Sequence, residues 1–134
     1  FRRIIDVAGI DLLFDAAIID PPLYSKTQAG EVSLLKNWEK LVNKVRPLVA
    51  HDGWLILINN ALYLTGKTLY AQIQKMCASG YMEIEKIIDI PQDITAYPHT
   101  IKTPAQIDPK PYKHPTKITI TRVKRKDGRR ASQF

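Results

Sequence analysis

Two short runs of unbroken apolar residues constrain this chain more than any other feature. Asp15-Ala16-Ala17-Ile18-Ile19-Asp20 is one, capped by Asp20 and stopped by Pro21-Pro22. Trp54-Leu55-Ile56-Leu57-Ile58 is the other, and it ends in Asn59-Asn60. A half-exposed strand alternates apolar and polar residues, whereas a parallel strand covered on both faces reads as a continuous apolar run. Both runs read as the second kind. Parallel neighbours need a long crossover, and the segment between the runs supplies one. From about Gln28 to Arg46, Val32, Leu34, Leu35, Trp38, Leu41, Val42 and Val45 fall at helical spacing, with Lys36, Glu39, Lys40, Lys44 and Arg46 on the other face. Pro47 ends or bends that helix, and His51-Asp52-Gly53 reads as a turn.

The pattern continues beyond the second run. Thr65 is a good N-cap for a helix reaching to about Ser79, with Leu69, Ile73, Met76 and Cys77 as its inner stripe and Gly80 just past its end. Met82, Ile84, Ile88 and Ile90 read as a third strand. A loop of roughly 25 residues follows, rich in proline, and loops of that length are often functional. Lys117 to Val123 alternates and reads as the last strand. The order strand, helix, strand, helix, strand, loop, strand predicts a parallel α/β sheet with a right-handed crossover. The last two strands lack a helix between them and are expected to pair antiparallel at one edge.

Charge is unevenly placed. The 134 residues carry 20 Lys and Arg against 13 Asp and Glu, a net of +7. Residues 1–101 hold 10 basic and 11 acidic side chains, whereas residues 102–134 hold 10 basic and two acidic ones. A C-terminal excess of this kind suits a polyanion, because neutralised phosphates release counterions. A solubilising tail is the equally weighted reading of Lys124 to Arg130. Residues 1–126 read as one domain and 127–134 as a basic tail.

Several functions are excluded or disfavoured. No apolar run reaches the roughly 18–20 residues that span a bilayer. The single cysteine, Cys77, leaves no internal disulfide and no cysteine-clustered zinc site, and suits a reducing cytoplasm; it reads as core packing. His51, His99 and His114 are too scattered for metal ligation and read as loop residues. The chain opens on Phe1 in mid-pattern, without a starting Met, and reads as a piece of a longer protein.

In open α/β sheets, ligands bind beyond the carboxyl ends of the strands. That rule selects Asp20-Pro21-Pro22-Leu23-Tyr24-Ser25 after the first strand and Asn59-Asn60 after the second. The prolines fix φ and remove two backbone donors. They leave a stiff, acceptor-rich rim suited to the amino or ring groups of a flat base, on which Tyr24 could stack. Lys26, Lys102, Lys110, Lys113 and Lys117 are candidates to grip a nucleic-acid backbone.

This constellation resembles the class I S-adenosylmethionine-dependent methyltransferases, in which Asp/Asn-Pro-Pro-aromatic closes the fourth strand beside the methyl donor. Phe14 to Lys26 is similar to the matching segment of the large-subunit ribosomal RNA methyltransferases of the I and K/L types. Ile58-Asn59-Asn60 is similar to the Ser-Asn-Asn of the K/L type, which methylates guanine N7, and Gln92-Asp93 fits that type too. The resemblance covers most of residues 14–126. It implies a partial Rossmann-like sheet and an acceptor-binding half of a methyltransferase acting on RNA. Asp20, Pro21, Pro22, Asn59 and Asn60 would carry the chemistry, and Tyr24, Ser25, Lys26 and Asp93 would bind substrate. Departures are clear. Leu23 stands between Asp-Pro-Pro and Tyr24. No cysteine follows the second strand, which disfavours covalent attack on a pyrimidine. No Gly-x-Gly loop is present, so the segment that binds the methyl donor would lie N-terminal to this chain, with Asp6 a candidate for the adenine amino group. That missing N-terminal half, RNA and a second copy joined through an exposed strand edge are the partners implied. A non-catalytic basic nucleic-acid-binding module is the alternative.

Overall fold

The computed structural model describes residues 12–21, 24–27, 30–96, 99–100 and 107–131, with the backbone alone for 24–27 and 30–36. The first apolar run is strand β1 (Phe14–Ile19). Two short strands, β2 (Tyr24–Thr27) and β3 (Gly30–Ser33), then form an antiparallel hairpin. Helix α1 (Leu34–Val45) follows, and a 3-10 turn (Arg46–Leu48) carrying Pro47 leads into strand β4 (Val49–Asn59). Helix α2 (Gly66–Cys77), strand β5 (Met82–Ile88), the short helix α3 (Gln92–Thr95) and strand β6 (Lys117–Val123) complete the order.

The main sheet runs β1-β4-β6-β5. β1 and β4 are parallel, with Ala17 beside Leu55 and Ile19 beside Leu57. β6 is antiparallel to both β4 and β5. β6 therefore sits inside the sheet, between β4 and β5, and only β5 is the edge of the expected antiparallel pair.

Three local expectations are corrected. The helix starts at Leu34 and not near Gln28, because residues 24–27 and 30–33 pair as the hairpin strands. His51-Asp52-Gly53 is not a turn but part of β4, where the pairing with β1 jumps from Phe14–Val49 to Ala16–Trp54. Asp52 takes φ 61° there, and a Cβ on Gly53 would come 2.7 Å from the Asp15 carbonyl oxygen. An irregular strand with one positive φ and one glycine imitates a turn in sequence. Helix α2 ends at Cys77 and not near Ser79. Cys77 is half-buried against the core, and burial raises its thiol pKa.

One core lies under the two long helices. Trp38, Val42 and Val45 of α1 and Leu69, Ile73 and Met76 of α2 pack with Ile19, Leu55, Leu57, Met82 and Val123 of the sheet. Val42, Leu55 and Ile73 are fully enclosed, and each such side chain contributes roughly 1.5–3 kcal/mol. β6 turns its polar positions to this core: Lys117, Thr119 and Thr121 are buried, while Ile118 and Ile120 are only half-buried. The hydroxyls are satisfied there, Thr121 donating to the Leu55 carbonyl at 2.8 Å and Thr119 sharing a 2.6 Å bond with the Tyr112 hydroxyl. Positions of the other parity, including Phe14, Ile18 and Trp54 (39, 65 and 42% exposed), remain open to solvent, so β1 and β4 are enclosed on one face only and not on both as their unbroken apolar runs predicted.

Candidate functional site

β1, β4 and β5 run in one direction, so their carboxyl ends share one end of the sheet. Asp20 leaves β1 at that end with its side chain exposed, and Pro21 next to it is half-buried. Asn60 follows β4. Its Nδ2 donates to Asp20 Oδ1 at 3.2 Å, which ties the two strand ends together. The carboxylate keeps its second oxygen and remaining lone pairs for a ligand.

Asn59 has another task. It is buried, and its side-chain oxygen accepts from the Ala61 backbone N–H at 2.9 Å, an Asx-type turn that bends the chain off β4. Asn60 is the exposed member of the pair and Asn59 the enclosed one. The turn then presents Leu62 and Tyr63, 52 and 45% exposed. Sequence reasoning passed over both, although an aliphatic-aromatic pair directly after a strand-end Asn-Asn was a usable signal.

Lys117 is the main surprise. It stands opposite Asn59 in the β4–β6 ladder and is 1% exposed. Its ammonium donates to the Ala61 carbonyl at 2.9 Å and the Pro115 carbonyl at 2.7 Å. It cannot grip a nucleic-acid backbone, as its residue type suggested, because it points into the fold. Its work is to hold the turn that carries Asn60. Burial lowers its pKa.

A second brace comes from the end of the long loop. Thr65 caps α2, accepting from the Thr68 N–H at 3.1 Å. The Gly66 N–H donates to the Asp108 carbonyl at 3.1 Å, and a Cβ on Gly66 would lie 1.8 Å from the Pro109 carbonyl oxygen. Only glycine lets the loop lie this close. Tyr112, buried with burial raising its phenol pKa, anchors the loop to Thr119.

The other candidates are more dispersed. Tyr24, Ser25 and Lys26 lie on β2, close after Asp20 in the chain, and only their backbone is described. Asp6, Pro22 and Lys102 lie outside the described residues. Asp93 is exposed on α3, beyond β5 and so with β6 between its strand and β4. Lys110 is exposed, and Lys113 pairs with Asp89 at 2.7 Å in an exposed bridge. His51 lies within β4, where its Nδ1 accepts from the Arg125 N–H at 3.0 Å. His114 Nδ1 accepts from Thr116 N–H at 3.1 Å, and His99 is exposed. Among the described residues no three His, Cys, Asp or Glu side chains gather as metal ligands, and no helix is long and apolar enough to cross a membrane.

Parallel strands joined through a helix, with an antiparallel strand inserted beside the last of them, define a partial Rossmann-like α/β sheet. The crystal structure of SMU.776, provisionally classed as a methyltransferase and complexed with S-adenosylhomocysteine (SAH), matches 90% of this chain with a TM-score of 0.64 and 21% identity. The chain spans 28% of that structure's chain. The fold is therefore that of part of a methyltransferase-type sheet. No protein-family model and no curated protein matches the sequence.

Proposed function

We propose that this chain is the acceptor-binding half of an S-adenosylmethionine-dependent methyltransferase that modifies a base in RNA, with a ring nitrogen such as guanine N7 as the favoured acceptor. One observation carries the reading: the Asn60–Asp20 bond that joins two parallel strand ends into a single polar rim, where this fold places its ligands. The crystallised neighbour, with SAH bound, supports the choice of methyl donor.

The residues present fit the acceptor side of such a site. Asp20 offers an exposed carboxylate oriented by Asn60, and the neighbouring prolines supply acceptors without competing donors. The donor side fits only in part, because the chain holds no Gly-x-Gly loop. S-adenosylmethionine would supply an electrophilic methyl group. This chain's part is to unstack, orient and desolvate the base. A ring nitrogen already carries its lone pair, so no residue here has to remove a proton. An exocyclic amine would instead direct its hydrogens at Asp20 and the Pro21 carbonyl.

The test is transfer of labelled methyl groups from S-adenosylmethionine to ribosomal RNA by the intact protein, alongside Asp20→Ala. The variant should lose at least about 100-fold in rate through misplacement of the acceptor, with an unchanged urea midpoint. Undiminished turnover removes Asp20 from the site. RNA binding that does not respond to S-adenosylmethionine would favour a non-catalytic module.

A further inference from the structure

At the other end of the sheet, where β4 and β5 begin and β6 ends, the basic C-terminal stretch folds back on the domain. The His51 N–H donates to the Arg129 carbonyl at 2.7 Å, and Arg125 donates to the Pro47 carbonyl at 2.5 Å while forking onto Asp127 at 2.7 and 2.8 Å. Between this returning stretch and the 3-10 turn lies a cleft of about 330 Å³, lined by Arg46, Tyr81, Arg125, Lys126 and Asp127 among others. Two cations converge on one ring inside it. The Arg46 guanidinium lies 4.5 Å and the Lys126 ammonium 5.0 Å from the Tyr81 centroid.

That convergence has an energetic meaning. Asp127 answers Arg125, so the cleft holds three cationic side chains against one carboxylate. Burial lowers the Arg46 pKa, and the neighbouring Arg125 charge lowers it further against the pull of Tyr81. Arg46 and Arg125 repel one another across the cleft, and an anion bound beside them relieves that repulsion. An arginine and a lysine lining one cleft suit phosphate oxygens, one as a planar fork and the other as a point charge. β6 runs from Lys117, opposite Asn59 near the rim, to Val123 in the cleft, so the cleft lies roughly 20 Å from the Asp20 rim. A ligand that touches both places is a polymer.

We infer that the Arg46–Tyr81–Lys126 cleft is a phosphate-binding site for the backbone of single-stranded RNA, separate from the Asp20–Asn60 rim. The inference rests on RNA being the substrate and does not require methyl transfer to occur. The intact protein is titrated with a labelled single-stranded RNA 20-mer across a salt series. Arg46→Gln with Lys126→Gln is compared with Lys40→Gln with Lys44→Gln, which removes the same charge from the exposed face of α1.

Each phosphate contact on a single strand contributes roughly 0.7 to the slope of log K against log salt, so the cleft variant should flatten that slope by about 1.4 and the control should not. Lys126→Gln alone, at an exposed position, should flatten it by about 0.7 and guards against misfolding of the double variant. Equal slopes in cleft variant and wild type, or an equal loss in the control, overturn the site. RNA binding through the cleft without methyl transfer leaves the site standing and sinks the enzymatic reading. Absence of RNA binding by the intact protein overturns the cleft, while S-adenosylmethionine binding then judges the enzyme separately.

Discussion

Replacing Lys117 by Met tests whether a buried cation holds the rim together. The methionine keeps an unbranched apolar stem, one atom shorter, and removes the charge. In the native fold the ammonium satisfies two carbonyls, Ala61 at 2.9 Å and Pro115 at 2.7 Å, from a position 1% exposed. Leaving one buried acceptor unsatisfied costs about 1–3 kcal/mol, and relief from burying the charge offsets part of two such losses. A net destabilisation of about 2–4 kcal/mol at pH 7 follows.

The pH dependence is more diagnostic than the magnitude. Burial lowers the folded-state pKa of Lys117 below 10.5. Between that lowered value and 10.5 the unfolded chain binds the proton and the folded chain does not, so wild-type stability rises with pH through this window. Below the window the burial cost is fully present. The neutral amine still carries two N–H donors for the two carbonyls. Urea unfolding of both proteins at pH 7 and near pH 10 should therefore show a larger gap at the higher pH. A methionine variant as stable as wild type at pH 7, or a gap that narrows on raising the pH, would refute the assignment.

Gly66→Ala should destabilise by about 1–3 kcal/mol through overpacking, since its Cβ would collide with the Pro109 carbonyl; thermal unfolding reads this. Thr65→Ala, which removes the α2 cap, should cost about 1 kcal/mol by the same measurement. Trp38→Phe removes a buried indole N–H that has no acceptor among the described residues, so the lost volume and the removed polar cost should leave stability within about 1 kcal/mol of wild type. Asn60→Ala should change stability by less than about 1 kcal/mol, as an exposed polar contact does, while methyl transfer falls clearly. Equal rates would separate Asn60 from the site.

The pieces legible in the sequence were those set by period and caps. β1 and the core of β4 announced themselves as unbroken apolar runs, and α2 was bracketed by Thr65 and Gly80. The β2–β3 hairpin was missed because Val32 continues the helical spacing of α1 upstream of its start at Leu34. β6 shows the limit of hydrophobicity as a guide. Hydrophobicity alone would assign its isoleucines to the core face, yet its lysine and threonines hold that position, because Tyr112 and the Leu55 and Ala61 carbonyls give them partners. At the rim, Asp20 and Asn60 were readable from position alone. The inward role of Lys117 depends on a contact with Ala61, 56 positions away, which no local pattern records.

The place of β6 also governs the order in which the sheet can be assembled. Among the described residues β5 pairs with β6 alone, and β6 emerges roughly 30 residues later in the chain. Until it arrives, β5 lacks the one described strand it bonds with, and β4 carries an open edge where β6 will lie. During synthesis the first half can pair β1 with β4 early, whereas the second half must wait for its keystone. Loss of residues from about 117 onward would remove one strand and strand a second, so damage at that end should propagate across half the sheet.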